Sequence, residues 1–201
     1  MKKNTVVLIL LLSAPLLLQR CGVVNQASQA INLMNCEFRI LSVTDVRLVG
    51  VDMDHISNIK QLTWLDAQKL MVALTKQTLP LNFNVNIEAR NPNGTTAGLN
   101  SVDYIVFIDD IQMTSGTFNQ PISIPPNNGT ATIPMQMTVD LKQVLQGKSA
   151  DAILNFAMNL SGAGANPTRF KVKLKPYIIV NGSPLSYPGY ITVKTEFAGP
   201  N

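Results

Sequence analysis

Apolar and polar residues alternate strictly along the middle of this chain. From Leu81 to Arg90, five apolar residues occupy every second position and five polar residues lie between them. Because successive side chains of a β-strand point to opposite faces of its sheet, this pattern predicts a strand with one buried and one solvated face. Further strand-like segments lie at 36–53, 99–108, 133–141, 169–180 and 190–197, separated by Gly, Pro and Asn residues. The pattern predicts a mainly β fold, an antiparallel sandwich.

Two segments interrupt this pattern with apolar residues at helical spacing. The first covers 63–77, where Thr63 can cap the amino terminus of a helix. The second lies near 140–159, where Gly147 can end one short helix and Ser149 can cap the next. We therefore expect a sandwich that carries two or three short helices.

The first twenty residues have the order of an export signal. Lys2 and Lys3 precede an apolar run over 6–18, which is shorter than the roughly 20 residues that a membrane-spanning helix needs. Cys21 follows closely and is itself followed by Gly22. This arrangement resembles a bacterial lipobox, in which the cysteine is acylated and becomes the new amino terminus. We expect a lipoprotein signal peptide over 1–20, a tether over 21–35 and the folded domain over 36–201.

Arg20 differs from the small residue that usually precedes a lipobox cysteine. The alternative is an ordinary cleaved signal peptide, which leaves Cys21 as a free thiol; both interpretations predict export. Two or three acyl chains on Cys21 anchor a protein far more firmly than one chain does. Gly22 gives no sign of retention in the inner membrane. We therefore expect anchoring to the outer membrane, with the domain facing the periplasm.

The net charge changes once the signal peptide is set aside. The whole chain carries a formal charge of +4 from 16 basic and 12 acidic residues. Lys2, Lys3 and Arg20 belong to the leader, so 13 basic residues remain against 12 acidic ones. A nearly neutral domain has no strong field for a polyanion, and we expect no nucleic-acid partner.

The segment from Leu81 to Leu141 resembles the late embryogenesis abundant type 2 domain, also called the WHy or LEA14-like domain. The matching residues are Asn91-Pro92-Asn93, Leu99, Tyr104, Ser115-Gly116, Ile124-Pro125 and Ile133-Pro134. The whole layout is similar to lipoproteins of this type from Bacteroidetes-type Gram-negative bacteria. The resemblance implies an immunoglobulin- or fibronectin-III-like antiparallel β-sandwich, and it carries over no catalytic residues.

Few residues have the pattern that catalysis or metal binding needs. His55 is the single histidine, so a metal site with two or more histidines is excluded within one chain. Asp52 and Asp54 beside His55 form either a ligand cluster or a solvated strand-to-loop junction, and we favour the junction. Asp109-Asp110 lacks the spaced acidic ladder of a calcium loop and is better explained as a turn. We expect no enzymatic activity, no bound metal and no cofactor.

Four cations follow one face of a predicted strand near the carboxyl terminus. Arg169, Lys171, Lys173 and Lys175 alternate with apolar residues, so they share one side of the strand. One interpretation is a contact with an anionic partner such as acidic headgroups or sugars. The other is a solvated face, or an edge strand that lysine protects against unwanted pairing.

Three functions are compatible with these patterns. The preferred hypothesis is a non-enzymatic binding or structural module that is held on a membrane by acyl chains and contacts envelope proteins. The alternative is a carrier or sensor of an apolar small molecule, with a cavity between the sheets and the helix that contains Trp64. A hydrolase that uses Asp109 and Asp110 is the third and least favoured hypothesis.

Overall fold

The structure, a computed structural model, describes residues 28–146, 149–164 and 168–197. The predicted signal peptide and the predicted lipidation site Cys21 lie outside these residues. The strands are β1 Glu37–Leu48, β2 Val51–Asp52, β3 Pro80–Asn91, β4 Ala97–Leu99, β5 Ser101–Ile108, β6 Ile111–Phe118, β7 Ile122–Ile124, β8 Gly129–Asp140, β9 Thr168–Val180, β10 Ser183–Ser186 and β11 Ile191–Phe197. The helices are α1 at 28–34, α2 Trp64–Leu74, α3 Leu141–Val144 and α4 Ala150–Leu160, with a 3₁₀ turn at Ile59–Gln61.

The strands form two main antiparallel sheets that face each other. The first sheet has the order β2-β1-β3-β8, and the second has the order β10-β9-β5-β6. β11 pairs with β9 along the same edge as β10, so these two short strands lie end to end beside one long strand. β4 and β7 form a separate two-stranded pair. The predicted antiparallel β-sandwich is confirmed.

The alternating segment of the sequence is β3, which lies inside the first sheet between β1 and β8. Its apolar residues from Leu81 to Ala89 are all buried. The ring of Phe83 meets the ring of Phe170 on β9 edge to face, with centroids 6.2 Å apart and an interplanar angle of 86°. This contact joins the two sheets at the centre of the core. Five methionines fill the remaining core: Met53, Met113, Met135, Met137 and Met158.

Three helices gather at one end of the sandwich. Thr63 caps α2 by accepting a hydrogen bond from the Asp66 amide, as the sequence suggested. Ser149 caps α4 in the same way, through the amide of Ala152. We call this end, where β1 ends and β3 begins, the helical pole. At the end of α2, the Lys142 ammonium group donates to the Leu74 carbonyl oxygen at 2.9 Å and satisfies one of the last carbonyl groups of the helix.

α1 lies at the other end, which we call the amino-terminal pole. The sequence predicts a tether over 21–35, but residues 28–34 form a helix and Leu33 is buried in the core. The Asn32 amide donates to Thr95 Oγ1 at 2.6 Å and to the Thr96 carbonyl oxygen at 3.1 Å. Asn93 donates in turn to the Asn32 carbonyl oxygen at 2.9 Å. These contacts join residues about sixty positions apart, which local patterning cannot show.

Candidate functional site

The four cations of the sequence stripe lie together on the outer face of the second sheet. On β9, Phe170, Val172 and Leu174 point into the core and are buried. Arg169, Lys171, Lys173 and Lys175 take the intervening positions and point outward. β9 pairs with β5 on one side and with β10 and β11 on the other. The interpretation of this stripe as a protected edge strand is therefore wrong.

An aromatic ring lies among these lysines. Phe107 on β5 pairs directly with Lys171, and the Lys171 Nζ atom lies 4.7 Å from the centre of the Phe107 ring. The Lys173 Nζ atom lies 5.4 Å from the same ring centre. A ring face attracts cations at this distance, so Phe107 holds both ammonium groups over one patch. Sequence reasoning missed this ring because it belongs to a different strand.

A fifth cation comes from β11. Lys194 pairs with Lys171 across the two strands, so two like charges stand directly opposite each other. Such pairs destabilise a sheet unless a counter-charge lies nearby. We call the five residues Arg169, Lys171, Lys173, Lys175 and Lys194 the basic face. The alternation on β9 signals the first four, while the fifth becomes visible only with the strand order.

Asp110 supplies part of the counter-charge, from the turn between β5 and β6. Its carboxylate lies 2.8 Å from Lys171 Nζ and 3.6 Å from Arg169 Nη2. The Lys171 hydrogen bond, and then the charges of Lys171 and Arg169, lower the pKa of Asp110. Asp109 and Asp110 both have positive φ, 48° and 65°, as a tight hairpin turn requires. The turn interpretation of this pair therefore holds, and Asp110 is held ionised, whereas a general acid needs a proton.

Asp103 also lies on this sheet face, directly opposite Lys175 of β9. Asp103 accepts hydrogen bonds from the hydroxyls of Thr117 at 2.7 Å and Tyr177 at 2.8 Å. The hydrogen bond to Asp103 raises the pKa of Tyr177. Among the side chains that the structure describes, Lys173, Lys175 and Lys194 have no carboxylate within ion-pair distance. These three lysines therefore form no direct ion pair with a described side chain, while Asp103 lies opposite Lys175 and the charge of Asp110 interacts with Lys194.

A shallow pocket of about 390 Å³ opens at one end of the basic face. Its walls include Lys171 and Lys194, the two opposed lysines, together with Asp110 and Arg169. The position between opposed ammonium groups gives this depression a positive character. The arrangement can hold an acidic group at the surface.

The acidic cluster near His55 has a structural role. The Asp54 carboxylate accepts the backbone amides of Asp45 at 3.0 Å and Val46 at 3.1 Å. Asp45 interrupts the β1–β3 register with φ of 55°, so Asp54 satisfies the amides of a β-bulge. The Asp54 amide is itself bound by Asp52 at 3.0 Å. Within the described residues, no group of three or more His, Cys, Asp or Glu is placed to hold a metal ion.

The Asn91-Pro92-Asn93 segment joins several loops by hydrogen bonds at the amino-terminal pole. Asn91 is fully buried and donates to the carbonyl oxygens of Thr95 at 2.9 Å and Ile124 at 3.1 Å. Its side-chain oxygen accepts the Asn93 amide at 3.0 Å. Gly116 has an equally specific role, because a Cβ atom there would lie 2.6 Å from the Tyr104 hydroxyl oxygen. These motif residues maintain the fold.

Trp64 does not line a space between the sheets. Its side chain is exposed on the outward side of α2, while Leu70 and Ala73 form the buried side of the helix. None of the helices in the described part of the chain has the length and apolar character needed to cross a membrane.

Comparison with known proteins gives one family match and several distant structural likenesses. The model of the LEA_2 family, "Late embryogenesis abundant protein", matches residues 86–186. No curated protein matches the chain. A crystal structure of a protein from Archaeoglobus fulgidus is similar at 13% identity and a TM-score of 0.36, over 63% of this chain and 90% of that one. A solution structure from Arabidopsis thaliana is similar at 13% identity and a TM-score of 0.40, over 80% and 81% of the two chains.

Proposed function

The chain belongs to the late embryogenesis abundant LEA_2 family, and from that premise we propose that it is an exported lipoprotein whose sandwich is a non-enzymatic binding module of the cell envelope. In this proposal Cys21 is acylated and anchors the chain to the outer membrane of a Bacteroidetes-type Gram-negative bacterium. The sandwich faces the periplasm. Membership of the family is consistent with a binding or structural role.

The leader and the position of α1 support the anchor. Lys2, Lys3 and the apolar run over 6–18 precede Cys21 in the order of a lipoprotein signal. Seven residues, 21–27, separate the start of the acylated chain from α1. An extended chain of that length spans at most about 25 Å, so the amino-terminal pole stays near the membrane.

The basic face supports the binding role, and the observation that carries it is that three of its five cations form no direct ion pair with a described side chain. Lys173, Lys175 and Lys194 lack a carboxylate partner among the described side chains, and Lys194 faces Lys171 across the sheet. An acidic surface on an envelope protein would relieve this repulsion, because each carboxylate that docks supplies the missing counter-charge. The broad, open surface of the sheet suits another protein better than a small molecule.

The anchor is tested by metabolic labelling with a fatty acid in a Gram-negative host. We expect the wild type to incorporate the label and to sediment with membranes. Cys21→Ser is expected to lose the label and to appear in the soluble fraction. A matched Cys36→Ser variant keeps the anchor residue and is expected to behave as the wild type. An unlabelled wild type, or a labelled Cys21→Ser variant, contradicts the proposal.

The binding role is tested by co-purification from detergent-solubilised envelopes, with quantitative mass spectrometry. We expect the wild type to retain an acidic protein that is released as ionic strength rises, because salt screens exposed charges. Lys173→Glu with Lys175→Glu reverses two charges of the basic face and is expected to reduce recovery at least about tenfold, since each introduced like charge opposes the partner.

Lys60→Glu with Lys76→Glu is the matched control, because both lysines are exposed and lie on the helical pole, away from β9. Recovery is expected to stay at the wild-type level in this control. An equal loss in both variants indicates a response to net charge alone and contradicts a role for the basic face. So does a wild-type sample that retains no protein.

A further inference from the structure

α2 presents an unusual set of large apolar side chains to solvent. Trp64, Leu65, Met71 and Val72 are 78%, 55%, 67% and 52% exposed. Ile59, in the 3₁₀ turn just before the helix, is 43% exposed and extends the same apolar region of the chain. These side chains share the outward side of α2 with the exposed Gln68 and Thr75. A group of large exposed apolar side chains of this kind marks a contact surface. We call this set the α2 apolar face.

The helix that carries this face is fixed to the sandwich. Leu70 and Ala73 pack into the core, and Thr63 caps the amino terminus. At the other end, the Lys142 ammonium group donates to the carbonyl oxygens of Leu74 and Lys76. Both ends are therefore satisfied, and the apolar face is held outward in the folded protein.

The charges around the helix include more cations than anions. Lys60, Lys69, Lys76 and Lys142 lie beside or on α2, and the nearby carboxylates are Asp66 on the helix, Asp52 on β2, and Asp140, which accepts the backbone amides of Leu79 and Lys142. Asp66 is already engaged, since it accepts the Thr63 hydroxyl at 2.6 Å and Lys69 Nζ lies 3.3 Å from it. An apolar helix face with tryptophan and a surrounding set of lysines has the composition of helices that lie in a membrane interface. The lysines complement anionic headgroups.

We propose that α2 inserts its apolar face into the surface of an anionic lipid bilayer. A second copy of the chain is a poorer occupant, because a symmetric contact through α2 brings two sets of these lysines together. The proposal does not depend on the lipid anchor or on the basic face. β1 is twelve residues long, about 40 Å, and separates α2 from the amino-terminal pole. Contact at both poles would therefore lay the sandwich along the membrane.

The chain contains its own reporter for this contact, because Trp64 is its only tryptophan. The full chain is added to vesicles of phosphatidylcholine with phosphatidylglycerol, and to vesicles of phosphatidylcholine alone. With the anionic vesicles we expect the Trp64 emission to move to shorter wavelength and to be quenched by lipids brominated on the acyl chains. The shift is expected to shrink at high salt and to be much smaller on phosphatidylcholine, since the headgroup attraction is absent.

Met71→Asp with Val72→Asp removes two of the five residues of the α2 apolar face and leaves the reporter in place. Both side chains are exposed, so we expect an unchanged thermal melt and at least about tenfold weaker vesicle binding. Leu185→Asp is the matched control, because Leu185 is 53% exposed on β10 at the other end of the sandwich. Binding of this control is expected to equal that of the wild type. All three proteins keep the same leader and Cys21.

Three outcomes overturn the proposal. The first is a Trp64 spectrum that does not change on anionic vesicles, even though the leader sediments the chain with them. The second is equal binding by the wild type and the Met71→Asp/Val72→Asp variant. The third is a spectral shift that grows with protein concentration in the absence of lipid, which identifies a second copy as the occupant. Failure here leaves the labelling and co-purification tests unaffected.

Discussion

The outward faces of β3 and β9 come from the same alternation of apolar and polar residues, but their polar groups are satisfied differently. Each of the five outward residues of β3 has a hydrogen-bond partner on a neighbouring strand. The pairs are Asn82 with Thr138, Asn84 with Asp45, Asn86 with Ser42, Glu88 with Arg39, and Arg90 with Glu37. On β9, Lys173 and Lys175 have ring contacts and no carboxylate partner among the described side chains.

The outward polar groups of β3 all have partners within the molecule, whereas some cations of β9 have no ion-pair partner among the described side chains. A polar strand face with paired groups gains nothing from an external ligand, because its groups are already hydrogen-bonded. A cationic face on which several lysines form no direct ion pair gains from an anionic ligand. Two strands with similar sequence patterns therefore differ in their capacity to bind an external ligand. The difference depends on which residues of the neighbouring strands lie beside them.

The largest effect is expected from a substitution in the core beneath both strand faces. Phe83 on β3 and Phe170 on β9 are buried against each other beneath the two faces. Phe83→Ala is expected to lower the free energy of unfolding by about 3–5 kcal/mol, the usual range for a buried aromatic residue. Urea unfolding measures it. A loss below about 1 kcal/mol contradicts a core that both sheets share.

A second test concerns Asn91, the buried and hydrogen-bonded polar residue at the end of β3. Asn91→Ala removes two donated hydrogen bonds and leaves the Thr95 and Ile124 carbonyl oxygens without that donor. We expect a decrease of about 1–3 kcal/mol in unfolding free energy. Amide hydrogen exchange should also accelerate in α1, because the Asn93 side chain that contacts Asn32 is positioned by Asn91. Unchanged exchange in α1 argues against this connection.

A third test compares one residue from each face. Glu88→Ala breaks an ion pair with Arg39, whose atoms are 2.6 Å apart, and a small decrease in the urea midpoint is expected. Lys173→Ala removes an unpaired cation from a crowded positive face, and its midpoint is expected to stay level or to rise slightly. The two midpoints are measured at low ionic strength. A larger loss for Lys173→Ala would show that the basic face is internally stabilised after all.

The smallest effect is expected for Asp110 and is a change in the pKa of its carboxyl group. The Lys171 hydrogen bond lowers the pKa of Asp110, so this ion pair contributes to stability above the ordinary carboxyl pKa and is lost as pH falls through the lowered value. Lys171→Met is expected to move the pKa of Asp110 upward, toward its ordinary value. An NMR titration of the side-chain carboxyl carbon measures the change. A pKa that stays in place contradicts the pairing.

Much of the fold could be predicted because periodicity is local. The alternation from Leu81 to Ala89 identified β3 and its buried face, and Thr63 and Ser149 identified the starts of two helices. The tether was predicted over 21–35, whereas the structure has α1 over 28–34, held by Asn93, Thr95 and Thr96, which are distant in sequence.

Only part of the candidate site could be predicted, because the rest depends on contacts between residues that are distant in sequence. The four cations of β9 share one strand, and their spacing placed them on one side. Phe107 and Lys194 belong to β5 and β11, and neither is near β9 in sequence. Strand order, which is a long-range property, decides that the Phe107 ring contacts two of the lysines and that two lysines oppose each other. No local pattern carries that information.

The way α1 is fastened has a mechanical consequence. Force applied through the chain that precedes residue 28 first reaches the few side-chain hydrogen bonds between Asn32, Asn93 and Thr95. β1 lies behind them and pairs with β3 from Glu37 to Leu48, so it resists the same pull in shear along its whole length. α1 is therefore the first described element that such a force loads, and it is held by these hydrogen bonds together with the burial of Ala30 and Leu33.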